Sequence, residues 1–188
     1  MVATAAGARV VESFAEVVAE RFGLALIDIP IGLLDGPRAC DLAARTLLGP
    51  RRSSVFPAPP RRLLRARRYA GQCSIQLWNI LGKIREVDEA MTRRLQRRIR
   101  EAHPECAFAL LGGAPLRFPK KTAEGEAERR KLLRPHFGEI ARLPGAARDD
   151  VLDAYALLWS AGRAVAGEAR VLGDGARDPR GQRCEILA

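Results

Sequence analysis

The segment Leu24-Ala-Leu-Ile-Asp-Ile-Pro-Ile-Gly32 constrains the fold more than any other part of the sequence. Its apolar residues predict a short buried strand, which Pro30 and Gly32 bring to an end. Asp28 interrupts the apolar run, and an unpaired carboxylate is costly to bury. Asp28 is therefore a candidate functional residue. The alternative is that it caps the next turn or pairs with a buried arginine.

The length and composition are those of a globular domain. The chain has 188 residues, which is enough for one domain with its own hydrophobic core. No apolar run approaches the roughly 20 residues that span a bilayer, and the N-terminus does not resemble a secretory signal. Four scattered cysteines and two histidines argue against a zinc site or a His-rich metal site. We expect a cytoplasmic protein with reduced thiols and no membrane association.

The positive charge is concentrated in one segment. The net charge is +10, and residues 51–100 hold 14 basic and 3 acidic residues, a net charge of +11. A concentrated basic surface attracts polyanions, and nucleic acid is the first candidate. The alternative is a solvated, arginine-rich surface that reflects a high-GC genome.

Short apolar segments alternate with amphipathic ones, which predicts an α/β domain. Weak strand patterns at 2–5 and 8–11 precede a helix that Ser13 caps, with Glu16 at the capping-box position. Further helices are predicted at 41–48, 61–69, 83–101, 123–133 and 149–161, and further strands at 105–111 and at the end of the chain.

Two basic loops are candidate phosphate-binding segments. The first is residues 49–60, which four prolines restrict. Its Arg51, Arg52 and Ser54 could hydrogen-bond phosphates, and Phe56 could stack on a base. The alternative is a rigid connection with Phe56 in the core. The second loop contains Lys120 and Lys121, which a solvated surface would also explain.

Two carboxylates share a face of the predicted helix near the C-terminal end. Asp150 and Asp153 are three residues apart, so their side chains project together. Paired carboxylates can ligate a hard divalent ion such as Mg²⁺. The alternative is that Asp149 or Asp150 caps the helix and that the remaining acids are surface charges.

Six motifs occur in an order that resembles a known family. They are Ile27-Asp-Ile-Pro-Ile-Gly32, Ser53-Ser-Val-Phe-Pro57, Lys83-Ile-Arg-Glu-Val87, His103-Pro-Glu105, Lys120-Lys-Thr122 and Asp149-Asp-Val-Leu-Asp153. Together they resemble a family of bacterial and archaeal proteins classed as predicted nucleases with a ribonuclease-H-like fold. The resemblance covers the chain from about Glu12 onward. It implies one domain over residues 1–188, a mixed sheet flanked by helices, and a basic helical insertion at about 49–100.

The resemblance also implies a mechanism. It is two-metal hydrolysis of phosphodiester bonds in nucleic acid, DNA or RNA, with Mg²⁺ or Mn²⁺ as cofactor. A homodimer is compatible with the sequence. The implied metal ligands are Asp28, Glu105, Asp150 and Asp153, and Lys121 completes the catalytic set. The implied nucleic-acid-binding residues are Arg51, Arg52, Ser54, Lys83 and Lys120.

One element of the family pattern has no counterpart here. Members usually begin with a strand of the Gly-Val-Asp type, whose aspartate is a metal ligand. We therefore expect the fold to lack its first strand, either because the start is misassigned or because a ligand has been lost. In the second case the chain would be a non-catalytic nucleic-acid-binding protein. A nucleotide hydrolase is disfavoured because no Walker-type Gly-Lys-Ser/Thr run is present, and a purely structural protein would leave the acids far apart.

Overall fold

Six helices and six short strands are interspersed along the chain, which confirms the α/β class. The computed structural model describes all residues from 1 to 188. The strands are β1 (Val2–Thr4), β2 (Gly7–Arg9), β3 (Ala25–Ile27), β4 (Ile99–Glu101), β5 (Val171–Leu172) and β6 (Ile186–Leu187). The helices are α1 (Phe14–Ala19), α2 (Ala39–Leu48), α3 (Ile75–Ala90), α4 (Pro104–Gly112), α5 (Ala123–Phe137) and α6 (Arg148–Val165). No helix combines the length and hydrophobicity that a membrane crossing requires.

The strands form three two-stranded sheets where the resemblance implied one mixed sheet. The pairs β1–β2 and β5–β6 are antiparallel, and β3–β4 is parallel. A single parallel bridge between Ala102 and Leu187 joins the second sheet to the third. The mixed α/β character is therefore observed, and the ribonuclease-H-like topology stays a prediction.

The predicted strand around Asp28 is shorter than expected. Strand β3 ends at Ile27, and Asp28 lies just beyond it with an exposed side chain. The prediction that Asp28 is buried within the strand was wrong. The strand stops there because its partner β4 ends at Glu101, the residue paired with Ile27.

The predicted long helix from Lys83 to Glu101 is observed only as far as Ala90, and its second half was wrong. Helix α3 begins earlier, where the Ser74 side chain accepts a hydrogen bond from the backbone N–H of Leu77, and it ends at Ala90. Residues 99–101 instead form β4, which pairs with β3. Tertiary pairing has overridden the helical pattern of the local sequence.

The segment predicted as a strand at 105–111 is helix α4. Pro104 occupies the first turn, where its missing N–H costs nothing. The His103 side chain caps the helix by accepting from the backbone N–H of Glu105, and Gly113 ends it in the left-handed region at φ 75°. The prediction failed because the apolar run was taken for a strand although its proline and glycine are helix start and stop signals.

The segment 49–97 contains α3 and three 3-10 turns, Gly49–Ser54, Arg61–Arg65 and Leu95–Arg97. The predicted helix at 61–69 is therefore only a turn. The boundaries of the basic insertion and the single domain stay predictions.

A buried ion cluster fixes the chain that follows Asp28. Arg38 is 2% exposed and donates to both oxygens of Glu101, at 2.7 and 2.8 Å, and to the carboxylate of Asp41. It also donates to the backbone carbonyl of Ile31 at 3.0 Å, and Glu101 accepts from the backbone N–H of Ile31 at 2.7 Å. The cluster thus ties β4 and α2 to the turn beyond Asp28.

Candidate active site

Four titratable side chains influence the pKa of Asp28, which lies just beyond β3. Its carboxylate is exposed and has no hydrogen bond or ion pair within the protein. Asp28 lines a small cavity, and desolvation by the surrounding protein atoms raises its pKa. The negative charges of Asp150 and Glu105 raise this pKa further, and the positive charge of Lys120 opposes them.

The parallel pairing of β3 and β4 brings His103 beside Asp28. The backbone N–H of Ala102 donates to the carbonyl of Ile27 at 2.9 Å, so the two chains leave the sheet together. His103 accepts at Nδ1 from Glu105 N–H, and its Nε2–H donates to the carbonyl of Ser54 at 3.2 Å. These partners assign the proton of His103 to Nε2. A small cavity lined by Asp28, Glu101, His103 and Phe56, among others, lies at this junction.

Only one of the two carboxylate oxygens of Glu105 has partners in the protein. Arg129, which is 0% exposed, and Arg51, at 3.4 Å, both bind Oε1 of Glu105. Its Oε2 is buried and accepts no hydrogen bond. A buried carboxylate oxygen without a donor carries a desolvation penalty, so this atom is available to a cation or a ligand proton.

The acids of helix α6 differ in their partners. Lys120 binds Asp153 at 3.0 Å and Asp149 at 3.4 Å, whereas Asp150 is exposed and has no partner. Neither Asp149 nor Asp150 caps the helix, because the cap position is Ala147. Capping therefore does not explain these acids, although Asp149 and Asp150 still favour the dipole of the first turn.

Burial raises the pKa of Asp153 to about 6, despite the opposing charge of Lys120, and the negative charge of Asp28 raises it further. The pKa of Lys120 is also raised. Burial alone would lower that pKa, but its contacts with Asp153 and Asp149 outweigh burial. Ionisation of Asp153 at neutral pH therefore costs free energy in the folded protein. Such raised pKa values are typical of functional sites.

Replacing Asp153 by asparagine is expected to increase the free energy of unfolding at pH 7.5 by up to about 3 kcal/mol. The pKa of this group is about 6 in the folded protein, against 3.8 for an unperturbed aspartate. The penalty therefore develops as the pH rises from about 4 and is complete above about 6. Urea unfolding at pH 4 and pH 7.5 measures the effect. Asp35→Asn, at an exposed surface pair, is the control, and equal destabilisation by Asp153→Asn at both pH values would contradict the expectation.

The predicted nucleic-acid-binding residues have different surroundings. Arg51 binds Glu105, and the carbonyl of Ser54 binds His103. Arg52 and Lys83 are exposed and form no ion pair. Lys120 contacts the helix acids, whereas Lys121, the predicted catalytic lysine, is exposed and contacts none of them. The roles of these residues stay predictions.

Lys121 lines a groove of about 360 Å³ next to the acids. The other main residues of the groove are Lys120, Thr122, Glu126, Arg148 and Asp149. The groove runs past the start of α5, which Thr122 caps by accepting from the N–H of Gly125 at 3.0 Å. Lys120 and Lys121 are therefore placed by the loop that precedes this cap.

Gly125 allows the close approach of that loop. A Cβ atom at Gly125 would stand 1.9 Å from the carbonyl oxygen of Pro119. We expect Gly125→Ala to displace the loop and to lower the free energy of unfolding by about 1–3 kcal/mol. Gly82→Ala in helix α3, where a Cβ meets nothing within 4 Å, is the matched control, and we expect it to add up to about 1 kcal/mol. Similar shifts in the two urea midpoints would contradict this account.

Two members of the site were missed from the sequence. Arg129 lies in a helix rich in both charges, and nothing local marks it as buried. His103 was excluded as part of a His-rich site, and its role as a cap was not considered. The pattern His-Pro-Glu, with a proline at the first helical position and an acid in the first turn, could have indicated this cap.

The site does not contain a ready-made metal cage. No group of three or more His, Cys, Asp or Glu side chains is arranged to hold a metal ion. The donors are nevertheless of the kind that a hard cation takes, since carboxylates predominate. The unpartnered Oε2 of Glu105 is an atom that such a cation would satisfy.

The fold and site define a mixed α/β protein in which the carboxylates of Asp28 and Glu105 come just after the two strands of a parallel pair. The chain belongs to the family described as "Protein of unknown function (DUF429)", whose model matches residues 1–177. No curated protein and no solved structure matches the chain.

Proposed function

We propose that this protein is a divalent-metal-dependent nuclease that hydrolyses phosphodiester bonds on a ribonuclease-H-like scaffold. The observation that supports it best is that the carboxylates of Asp150 and Glu105 both raise the pKa of Asp28, whose own carboxylate has no partner in the protein. Each of these three carboxylates has at least one oxygen that no protein group satisfies. Asp28 and Asp150 form no ion pair with the protein, so no direct contact supplies the positive charge that would balance them.

A hard divalent cation would supply that charge. Mg²⁺ is usually held by one or two carboxylates together with waters and substrate phosphates. A group of three protein ligands is therefore not required, and the donor set fits an ion that binds with its substrate. Asp28, Glu105 and Asp150 are the residues that would hold it. When bound, such an ion stabilises developing charge and lowers the pKa of its water.

The other residues of the site have supporting roles. The guanidinium of Arg129 presents a rigid fork of donors and fixes the orientation of Glu105. His103 uses both ring nitrogens in hydrogen bonds, so it orients the start of α4 and is not free to act as a base. Lys120 and Lys121, beside the groove, would bind phosphates of the substrate.

One observation favours a second function, a non-catalytic nucleic-acid-binding protein. Lys120 neutralises Asp153 and Asp149, and two arginines neutralise Glu105, so most of the acids have internal partners. Under this reading the nucleic acid would bind without being cut. The same residues support both functions, and only an activity measurement separates them.

The test is a cleavage assay on end-labelled single-stranded DNA, double-stranded DNA and RNA. We expect cleavage of at least one substrate with Mg²⁺ or Mn²⁺ and none in EDTA. Binding of the same substrates without cleavage under all metal conditions would favour the second function. Cleavage that persists in EDTA would contradict the metal dependence.

A further inference from the structure

The basic segment is free of acids over a long part of the chain. Between Asp41 and Glu86 there are ten arginine and lysine residues and no aspartate or glutamate. Some are used internally: Arg61 binds Asp88 and Asp178, and Arg85 donates to the carbonyls of Leu64 and Ala66. The side chains of five others are exposed without an ion pair or hydrogen bond. These are Arg52, Arg65, Arg67, Arg68 and Lys83.

Two aromatic residues that contact each other, Tyr69 and Trp78, lie in the same segment as these unpaired basic residues. The rings of Tyr69 and Trp78 are 5.6 Å apart and inclined at 53°. Tyr69 is 46% exposed, and its hydroxyl donates to the carbonyl of Cys73 at 3.2 Å, which holds the ring in place. Trp78 is half-buried against a cluster of core residues that includes Leu33 and Leu77. Arg67 and Arg68 immediately precede Tyr69 in the chain.

We propose that Tyr69 and Trp78 form a stacking surface for the unpaired bases of a single-stranded nucleic acid. Arg65, Arg67 and Arg68 bind its phosphates. Aromatic rings that stack on bases beside a row of cations are the usual means of binding single strands. A duplex can bind only to the arginines through its phosphates, because its bases are already stacked on one another. An exposed, anchored tyrosine beside the arginines therefore selects an unpaired strand.

The stacking surface is connected to the acidic site. Ile29 and Phe56 pack against the cluster beneath Trp78, and both also line the small cavity at Asp28. The aromatic pair and the cavity at Asp28 thus share one hydrophobic cluster. This inference rests on the proposed function for the identity of the polymer, and it adds that the substrate has a single-stranded part.

Fluorescence of Trp78 tests the inference directly. The chain has two tryptophans, and Trp159→Phe leaves Trp78 as the only one. In EDTA, where no cleavage is expected, we expect a 20-nucleotide oligothymidylate to quench this emission to saturation. Tyr69→Leu is expected to weaken binding by roughly 5- to 150-fold, the usual range for losing one stacked base. Tyr69→Phe keeps the ring and is expected to bind like the parent.

Variants that remove arginine charges distinguish base stacking from non-specific electrostatic attraction. Arg67→Gln with Arg68→Gln is expected to weaken binding and to reduce its salt dependence. Arg142→Gln with Arg170→Gln removes the same charge at exposed positions elsewhere and is expected to change binding little. Equal affinity for a 20-base-pair duplex, unchanged binding by Tyr69→Leu, or a response only to vesicles of anionic lipid would each overturn the inference. Because binding is measured without turnover, a lack of cleavage in the separate assay would contradict the proposed nuclease alone.

Discussion

Replacing Arg38 by methionine is expected to lower the free energy of unfolding by about 3–5 kcal/mol, the usual effect of removing one partner from a buried ion pair. Arg38 is the counterion of two buried carboxylates, Glu101 and Asp41. The variant would leave both without a positive partner and the carbonyl of Ile31 without this donor. Burial already raises the pKa of Glu101 against the opposing effect of Arg38, so we expect Glu101 to become protonated in the variant.

Urea unfolding at pH 7 measures this effect. The control is Arg62→Met, which breaks a pair with Asp35 on the exposed surface and is expected to change the free energy of unfolding by less than about 1 kcal/mol. The same small change for Arg38→Met would show that the cluster is not needed for stability. Because Glu101 accepts from Ile31 N–H, the cluster also positions the turn that follows Asp28.

Asp28→Asn is expected to reduce metal-dependent cleavage at least about 100-fold. Changes to groups that only support a metal ligand typically cost 10- to 100-fold, and Asp28 is proposed as a ligand itself. The same change is expected to raise the thermal midpoint at pH 7.5 slightly, because desolvation and nearby acids disfavour the charged form. A variant that loses activity but gains stability is expected where a residue serves function at the expense of stability.

Cleavage rates and thermal midpoints of the purified variants measure both effects. Asp174→Asn, at an exposed loop position away from the charged group, is the control and is expected to cleave at the parent rate. If Asp28→Asn retains full activity, Asp28 is not part of the catalytic site. A fall in both activity and thermal midpoint would indicate a structural role for this carboxylate.

Local sequence signals predicted part of the fold well. The capping box of Ser13 and Glu16, the β1–β2 hairpin and helix α6 are all observed. The start of α5 at Ala123 also agrees with the helix predicted at 123–133. These features depend on residues that are close in the chain, so a single sequence is enough to identify them.

Long-range pairing explains the features that could not be predicted. Strand β4 forms because it pairs with β3 and because Glu101 binds Arg38 from a distant part of the chain. Neither contact can be recognised from the local sequence at 83–101, whose apolar residues have helical periodicity. The sheets are therefore shorter and more separate than the family resemblance implied.

The candidate site was predicted in part. Asp28, Glu105, Asp150 and Asp153 were named from the sequence. Glu105 and Asp150 raise the pKa of Asp28, and Asp28 raises that of Asp153, but no three of these acids are arranged to hold a metal ion. The ion pairs that accompany them were not foreseen, because the partner of a buried charge such as Arg129 depends on the packing of α5 against α4. Whether the acids hold metal stays a prediction.

Binding of Mn²⁺, followed by electron paramagnetic resonance in the presence of a short oligonucleotide, tests the central claim most directly. The account predicts saturable binding to the parent protein that is strengthened by the oligonucleotide, since phosphates would complete the ligand set. It also predicts that Asp28→Asn and Asp150→Asn abolish this binding, whereas Asp174→Asn retains it. Equal Mn²⁺ binding by the parent protein and Asp28→Asn, or no binding by either, would contradict the account.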